Sequence, residues 1–146
     1  MRFPFIPFTI AFSASSLRYH CEFPDVPEMS EYEFDTKEEV GALGRDKLLY
    51  TLEYAYRRQG RAIPLPSSVG EDYYFYLPLP YQAKILLWNR LLETGGNASQ
   101  LARSFGCSRQ ELQRILDLTK PIGLEKIEKV LMVLDRSFKL SCVKLP

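Results

Sequence analysis

The stretch from Gln100 to Asp117, QLARSFGCSRQELQRILD, constrains the fold of this chain more than any other segment. It has the spacing of two short helices joined by a sharp turn. Ala102 is small where two helices must approach closely, and Gly106, four residues on, supplies the left-handed backbone that a tight turn needs. Ser108 opens the second helix as a cap with Glu111 three residues later, the pattern of a capping box, and Asn97 with Gln100 does nearly the same for the first helix. Leu112, Ile115 and Leu116 share a face and predict the anchorage of the second helix on the first. Arg109, Gln110, Gln113 and Arg114 are left on the outer face. Arg suits guanine edges, Gln suits adenine edges, and either can hold a phosphate. The pattern predicts a helix-turn-helix whose second helix, residues 108–116, enters a DNA major groove. The candidate contacts are Ser108, Arg109, Gln110, Gln113 and Arg114, with Ser99 from the first helix. The alternative is an ordinary helical hairpin with a solvated polar face.

Charge is distributed to match. The formal net charge is +1, but residues 1–79 hold 8 Lys and Arg against 12 Asp and Glu, a net of −4, while residues 80–146 hold 11 against 6, a net of +5. The densest acid runs from Glu22 to Glu39, opposed by Lys37 alone. A basic half suits a phosphate backbone. An acidic half is repelled by one, which leaves two readings of it: a basic protein as partner, or a solvated acidic loop that keeps the chain soluble.

The opening MRFPFIPFTIAFSAS has the early Arg, apolar run and small residues of a secretory leader. Pro4 and Pro7 oppose a helical apolar segment there, and the positive region is a single Arg. The segment is expected instead as a first strand over residues 2–12, with its prolines on an edge or at its start. A turn at Ser13–Ser16 leads to a return strand in which Leu17, Tyr19, Cys21 and Phe23 alternate inward with Arg18, His20 and Glu22 outward. Pro24 and Pro27 fix a loop. Thr36, with Glu39 at the third position, caps a helix that reaches about residue 58, with Val40, Leu43, Leu48, Leu52 and Ala55 inward and Gly60 ending it. Gly41 and Gly44 are expected to mark close packing on the sheet. A proline-rich connection at residues 63–72 precedes an aromatic strand at residues 72–79. The front half, residues 1–79, is therefore read as a β-β-α-β domain.

The rear half, residues 80–146, opens with a helix at residues 81–94 carrying Ile85, Trp88 and Leu92 on one stripe and closed by Gly95-Gly96. The helix-turn-helix follows, then a helix with Leu124, Ile127, Leu131 and Leu134 inward. Alternation of Phe138, Leu140 and Cys142 predicts a short final strand. The fold class is α+β: a sheet with a helix on one face, then an all-α helix-turn-helix domain with a short C-terminal strand. No segment is long enough to span a membrane. Cys21, Cys107 and Cys142 are odd in number and lack C-x-x-C spacing, which suits free thiols in a reducing, cytoplasmic compartment. The Asn97-Ala98-Ser99 sequon is then a chance match.

Nothing in the sequence assembles a catalyst. Two-metal phosphodiester hydrolysis needs converging carboxylates, and the first strand, RFPFIPFTIAF, holds none. His20 is the one histidine, on the polar face of a strand, and no Ser or Cys has an evident base beside it. No catalytic residue, metal site or cofactor is expected.

Several motifs in order carry a resemblance over most of the chain: Met1-Arg2-Phe3-Pro4, Phe23-Pro24-Asp25-Val26-Pro27-Glu28, Asp35-Thr36-Lys37-Glu38-Glu39, Ile63-Pro64-Leu65-Pro66-Ser67, Pro78 before Ala83-Lys84-Ile85-Leu86-Leu87, Leu101-Ala102-Arg103, and Ser108 to Arg114. The chain resembles a HicB-type antitoxin, the inhibitory half of a HicA–HicB toxin–antitoxin pair. The resemblance implies a front half similar to a cut-down ribonuclease-H-like fold that has lost its catalytic acids. That half covers the active site of a small, basic, RNA-cleaving, HicA-like toxin with a double-stranded-RNA-binding fold. The rear half represses its own operon at operator DNA. Glu22, Asp25, Glu28 and Glu31 become candidate toxin contacts, although Asp25 between its prolines also fits a turn-stabilising role. A palindromic operator implies a homodimer or higher homo-oligomer. One departure is the first hairpin turn, glycine-rich and acidic in the family but Ser13-Ala14-Ser15-Ser16 here. Toxin contacts made through that turn do not carry over. The family also has ribbon-helix-helix members; this chain carries the helix-turn-helix version. The rival readings are a stand-alone helix-turn-helix regulator with a ligand-sensing front half, and an active nuclease.

Overall fold

β1 (Phe5–Ser13) is the strand on which the sheet is built. In this computed structural model, which describes residues 5–67, 73–142 and 144, the strands lie in the order β3-β2-β1-β4, with every neighbouring pair antiparallel. β2 (Arg18–Glu22) pairs with residues Thr9 to Ser13 of β1, and β4 (Tyr73–Tyr76) pairs with Phe5 to Phe8. The two-residue β3 (Glu33–Phe34) adds to the far side of β2, so the front half is β-β-β-α-β and not the expected β-β-α-β. Two residues are too few to carry an alternation signal.

Pro7 lies opposite Tyr74, near the start of a strand that is central in the sheet. The prolines were expected on an edge or at the strand's start, and the divided pairing of β1 leaves Pro7 locally at an edge. Where Pro7 pairs with β4, the β2 ladder on the other side has not begun, so a missing N–H interrupts no hydrogen bond there. The expected start of the strand at residues 2–4 lies outside the described residues.

Leu17 also differs from its expected inward position. Its N–H donates to the Ser13 carbonyl at 2.8 Å and its φ is 58°, so it ends the turn and is 71% exposed. From Tyr19 onward the alternation holds, with Cys21 and Phe23 buried.

α1 (Lys37–Thr51) begins as its sequence dictates. The Thr36 side chain accepts the Glu39 N–H at 3.1 Å, and the Glu39 carboxylate accepts the Asp35 N–H at 2.8 Å. Val40, Leu48 and Leu52 are buried, but Leu43 is exposed. The sheet contact runs through Val40, Gly44 and Leu48, one turn apart, which turns Leu43 outward. A Cβ on Gly44 would collide with Cζ of Phe75 and lie 2.9 Å from its Cε2, so the ring of β4 occupies the space that this glycine leaves. Gly41 faces open space and marks no close packing. After Thr51 the helix widens into a π turn (Leu52–Tyr56), tightens into a 3₁₀ turn (Arg57–Gln59), and ends at Gly60 with φ 70°. The end was legible; the widening was not. It is what buries Glu53, Tyr56 and Arg57 together.

Residues 61–67 cross the molecule without regular structure and are strapped to α2 (Leu79–Glu93). The Asn89 side chain bonds both the N–H (2.8 Å) and the carbonyl (2.9 Å) of Ile63, and the Trp88 indole donates to the Arg61 carbonyl at 2.9 Å. The remainder of the connection, residues 68–72, lies outside the described residues. α3 (Ala98–Phe105), α4 (Arg109–Leu116) and α5 (Leu124–Met132) complete the fold, with α2 packed on α4 and α5. One apolar core runs from Ile6 and Phe8 of the sheet through Ile85 and Leu87 to Leu131.

The expected C-terminal strand is absent among the described residues. Residues 136–142 are irregular, with Leu140 68% exposed and Cys142 exposed. Alternation makes a segment compatible with a strand, but the strand exists only where a neighbour supplies hydrogen bonds, and neither edge of this sheet pairs with it.

Gly44→Ala is expected to lower stability by about 1–3 kcal/mol, because the methyl group overpacks against the Phe75 ring. Gly41→Ala is expected to raise it by about 0.5–1 kcal/mol, through helix propensity alone. Urea midpoints of the two variants check both signs.

Candidate nucleic-acid and protein interfaces

The helix-turn-helix is built by its caps and its turn. The Asn97 side chain accepts the Gln100 N–H at 2.9 Å to start α3. Gly106 takes φ 87°, and the N–H groups of Gly106 (2.9 Å) and Cys107 (3.0 Å) both return to the Ala102 carbonyl. Ser108 starts α4 by accepting the Glu111 N–H at 3.0 Å. The reciprocal half of this capping box is not made. The Glu111 carboxylate pairs with Lys126 of α5, whose hydrogen bond and charge hold it below its ordinary pKa. Leu101 and Ala102 of α3 and Leu112, Ile115 and Leu116 of α4 are buried, as the spacing required.

Ser108, Arg109, Gln110 and Arg114 are exposed on α4, and Ser99 is half-buried on α3. Gln113 is placed differently. It is half-buried, and its amide oxygen accepts a hydrogen bond from Nη1 of Arg57 at 2.9 Å. Gln113 and Arg114 line a cleft of about 750 Å³ between α4, the start of α3 and the end of the front helix; Arg57, Arg58, Trp88 and Lys120 line it with them.

The acidic candidates separate into two kinds. Asp25 accepts the Ser67 N–H at 3.0 Å and the Ser67 hydroxyl, so it ties its loop to the proline-rich connection. Glu28 accepts the Tyr56 hydroxyl at 2.6 Å and pairs with Arg61 at 3.5 Å. Burial alone would raise the Glu28 pKa, but Tyr56 and Arg61 outweigh it and hold the carboxyl below its ordinary value. The Tyr56 hydroxyl is pushed up to about 12 by burial and by Glu28. Glu22 and Glu31 remain exposed, and Glu22 borders a groove of about 300 Å³ with Phe23, Pro24 and Pro27. Arg18 takes up further acid by pairing with Glu33 and Asp35. His20 stands 4.0 Å from Glu33, and among the described residues no group of three or more His, Cys, Asp or Glu could hold a metal ion. No helix among them is long and apolar enough to cross a membrane.

No family model matches the chain. Individual relatives do. "Antitoxin HicB 2" of Photorhabdus laumondii is 32% identical over 143 residues, covering 98% of this chain and 97% of the relative. "Antitoxin HicB" of Pseudomonas fluorescens is 34% identical over 122 residues, covering 80% of each. "Antitoxin HicB" of Escherichia coli K12 is 28% identical over 126 residues, covering 86% and 90%. The chain belongs to the HicB antitoxin family.

Between the two candidate surfaces of this HicB-family chain lies a polar network that the sequence did not disclose. Glu53 is fully buried, and its carboxylate receives Arg57 through Nε (2.6 Å) and Nη2, Arg58 through Nε (2.8 Å), and the Leu118 N–H (3.1 Å). Arg58 also reaches Asp117 at 3.1 Å, just past α4. Burial works against the Asp117 carboxylate, but bonds from Thr119 and Arg58 hold it below its usual range. Lys84 is fully buried too, and its amine donates to the carbonyls of Asp117 (2.6 Å) and Lys120. Burial pushes this amine down to about 8. Two signals were available in the sequence. Glu53 and Arg57 are spaced for an i,i+4 pair, and Lys84 falls one turn before Trp88 on the apolar stripe.

Lys84 makes stability depend on pH in a known direction. Its amine titrates near 8 when folded and near 10.5 when unfolded. Between those values the unfolded chain holds the extra proton, so stability rises with pH. The cost of burying the charge is complete below pH 8 and gone above 10.5. Relative to Lys84→Met, the natural chain is expected to gain stability between pH 8 and 10.5. Urea midpoints of both chains across that range measure it, and a constant difference would show that the buried amine keeps its proton.

Proposed function

We propose that this chain neutralises a small, basic, RNA-cleaving toxin of the HicA type with residues 1–79 and represses its own operon with the helix-turn-helix of residues 80–146. The observation that carries this reading is the match of nearly the whole chain to a relative named as a HicB antitoxin, so that both halves are accounted for together. On this reading the front half is a cut-down ribonuclease-H-like fold, supported by its four-stranded sheet and single long helix. The protein acts by binding and not by catalysis, in the cytoplasm.

The exposed carboxylates Glu22 and Glu31 would attract a basic toxin and speed encounter. Exposed aromatic rings at the sheet edge, Tyr73 and Tyr76, would contribute buried area once the toxin docks. The toxin would be inhibited because its RNA-binding surface is covered. Asp25 and Glu28, engaged inside the protein, shape the loop and do not lead the contact.

One recognition helix reads few base pairs, so operator specificity requires two copies on a palindrome. The exposed Leu86, Met132 and Leu140 on α2, α5 and the C-terminal segment support that region as the dimer surface.

Two outcomes test the two halves. Co-expression with a HicA-type toxin should suppress that toxin's RNA cleavage. Glu22→Lys with Glu31→Lys should slow toxin association about ten-fold or more at low salt, with a smaller effect at high salt. A toxin bound and inhibited equally well by that double variant would move the contact elsewhere. Arg109→Ala and Gln110→Ala should each weaken binding to the chain's own promoter about ten-fold in a gel-shift titration, the loss expected of a base-reading side chain. Promoter binding that survives both would remove α4 from the groove.

A further inference from the structure

We propose that Gln113 meets DNA as a hydrogen-bond donor only, and that Arg57 in the front half is the positioning residue that makes it so. The inference rests on the operator-binding reading above and specifies the chemistry of one of its contacts. A glutamine pairs with adenine by using both ends of its amide: the oxygen accepts from N6 and the nitrogen donates to N7. In this structure the oxygen is turned to Arg57. It accepts from Nη1 of Arg57 at 2.9 Å, and a guanidinium can only donate, so the bond fixes which end of the amide faces inward.

Arg57 is itself held. It is 5% exposed, and Glu53, fully buried, grips it through Nε at 2.6 Å and through Nη2. It also lies against the Trp88 ring, 5.8 Å from its centroid. The guanidinium therefore has little freedom to release Gln113, and releasing it would leave Nη1 to find another acceptor in a confined place. What remains for DNA on Gln113 is the Nε2 amino group. The matching group on DNA is an acceptor: N7 of either purine, O6 of guanine, O4 of thymine, or a phosphate oxygen. The bidentate pairing with adenine, which needs both amide ends, is lost at this position, so adenine holds no advantage over guanine there. The sequence alone suggested the reverse, because an unattached glutamine prefers adenine.

The test is selection of binding sites from a randomised promoter library by the full-length chain, followed by salt titration of the best site. With the natural chain, a base-edge contact gives one half-site position that disfavours cytosine and does not prefer adenine over guanine, and Gln113→Ala levels that position alone. A phosphate contact gives uniform weakening across sequences in Gln113→Ala, with a salt slope smaller by about one. Either result supports the donor role. Gln113→Glu keeps an acceptor for Arg57 but presents no donor, so binding should fall about ten-fold or more with the unfolding midpoint unchanged. Arg57→Lys keeps the charge on Glu53 but loses the guanidinium fork. At a base-edge contact it should shift the preference toward adenine.

A preference for adenine over guanine by the natural chain, at the position that Gln113→Ala levels, would overturn the proposal. So would Gln113→Glu binding as tightly as the natural chain. In both cases the operator role would stand. If the full-length chain binds its own promoter no better than unrelated DNA, the operator role itself fails and the proposal falls with it. Where Arg57→Lys does not fold, the two Gln113 variants decide alone.

Discussion

A buried carboxylate sets the terms for the middle of this molecule. Glu53 is fully removed from water, and an ion so placed is tolerated only when partners surround it. Two arginines and the Leu118 N–H converge on it. Removing such a group from a buried pair typically costs about 3–5 kcal/mol, because the partner charges stay buried and unmatched. The π turn at Leu52–Tyr56 is part of the same solution, since the widened backbone is where Glu53 and Arg57 turn inward together. The front helix therefore ends in a charged cluster that the turn after α4 must complete.

That turn is held from both sides. Arg58 grips the Asp117 carboxylate from the front half, while Lys84 of α2 grips the Asp117 and Lys120 carbonyls from beneath. Carbonyls at a helix end lack intrahelical partners, and a buried ammonium is a strong donor to satisfy them. The C-terminal end of α4 is thus fixed by residues from two other parts of the chain. Its N-terminal end is set by Ser108 and the Gly106 turn, with Lys126 of α5 paired to Glu111 in the first turn. The exposed Arg109 and Gln110 lie at that end, where cap and turn are set locally.

This contrast explains what was legible in the sequence. Caps, turn glycines and the apolar faces of α3 and α4 are local properties, so Asn97, Ser108, Gly106, Leu112 and Ile115 announced themselves. The same holds for Thr36 at the start of α1 and Gly60 at the end of the front helix. The misread residues depended on distant partners. Leu43 matched the inward period of α1, but the helix turns Gly44 to Phe75 of a strand far along the chain. The segment around Leu140 alternates as a strand does, but alternation cannot supply a neighbouring ladder. Glu53, Arg57 and Lys84 were not singled out as buried, because burial of a charge is decided by what packs over it.

The charge asymmetry needs the same correction before it is used as an argument about partners. Counted from sequence, the front half is a broad acidic surface. In the fold, Glu33 and Asp35 are paired with Arg18, Glu28 with Arg61, and Glu53 with two arginines, while Asp25 is engaged by Ser67. A paired carboxylate contributes little field beyond a Debye length of about 8 Å at physiological salt. The acid that a partner meets is narrower than the formal charge, and Glu22 and Glu31 belong to it. The front arginines obey the same discount. Arg57 and Arg58 line the cleft beside α4 with Arg114 and Lys120, but Glu53 takes up both and Asp117 takes up Arg58 as well, so two cations meet two carboxylates. The formal asymmetry between the halves therefore overstates the field at this seam, on its positive side as on its negative.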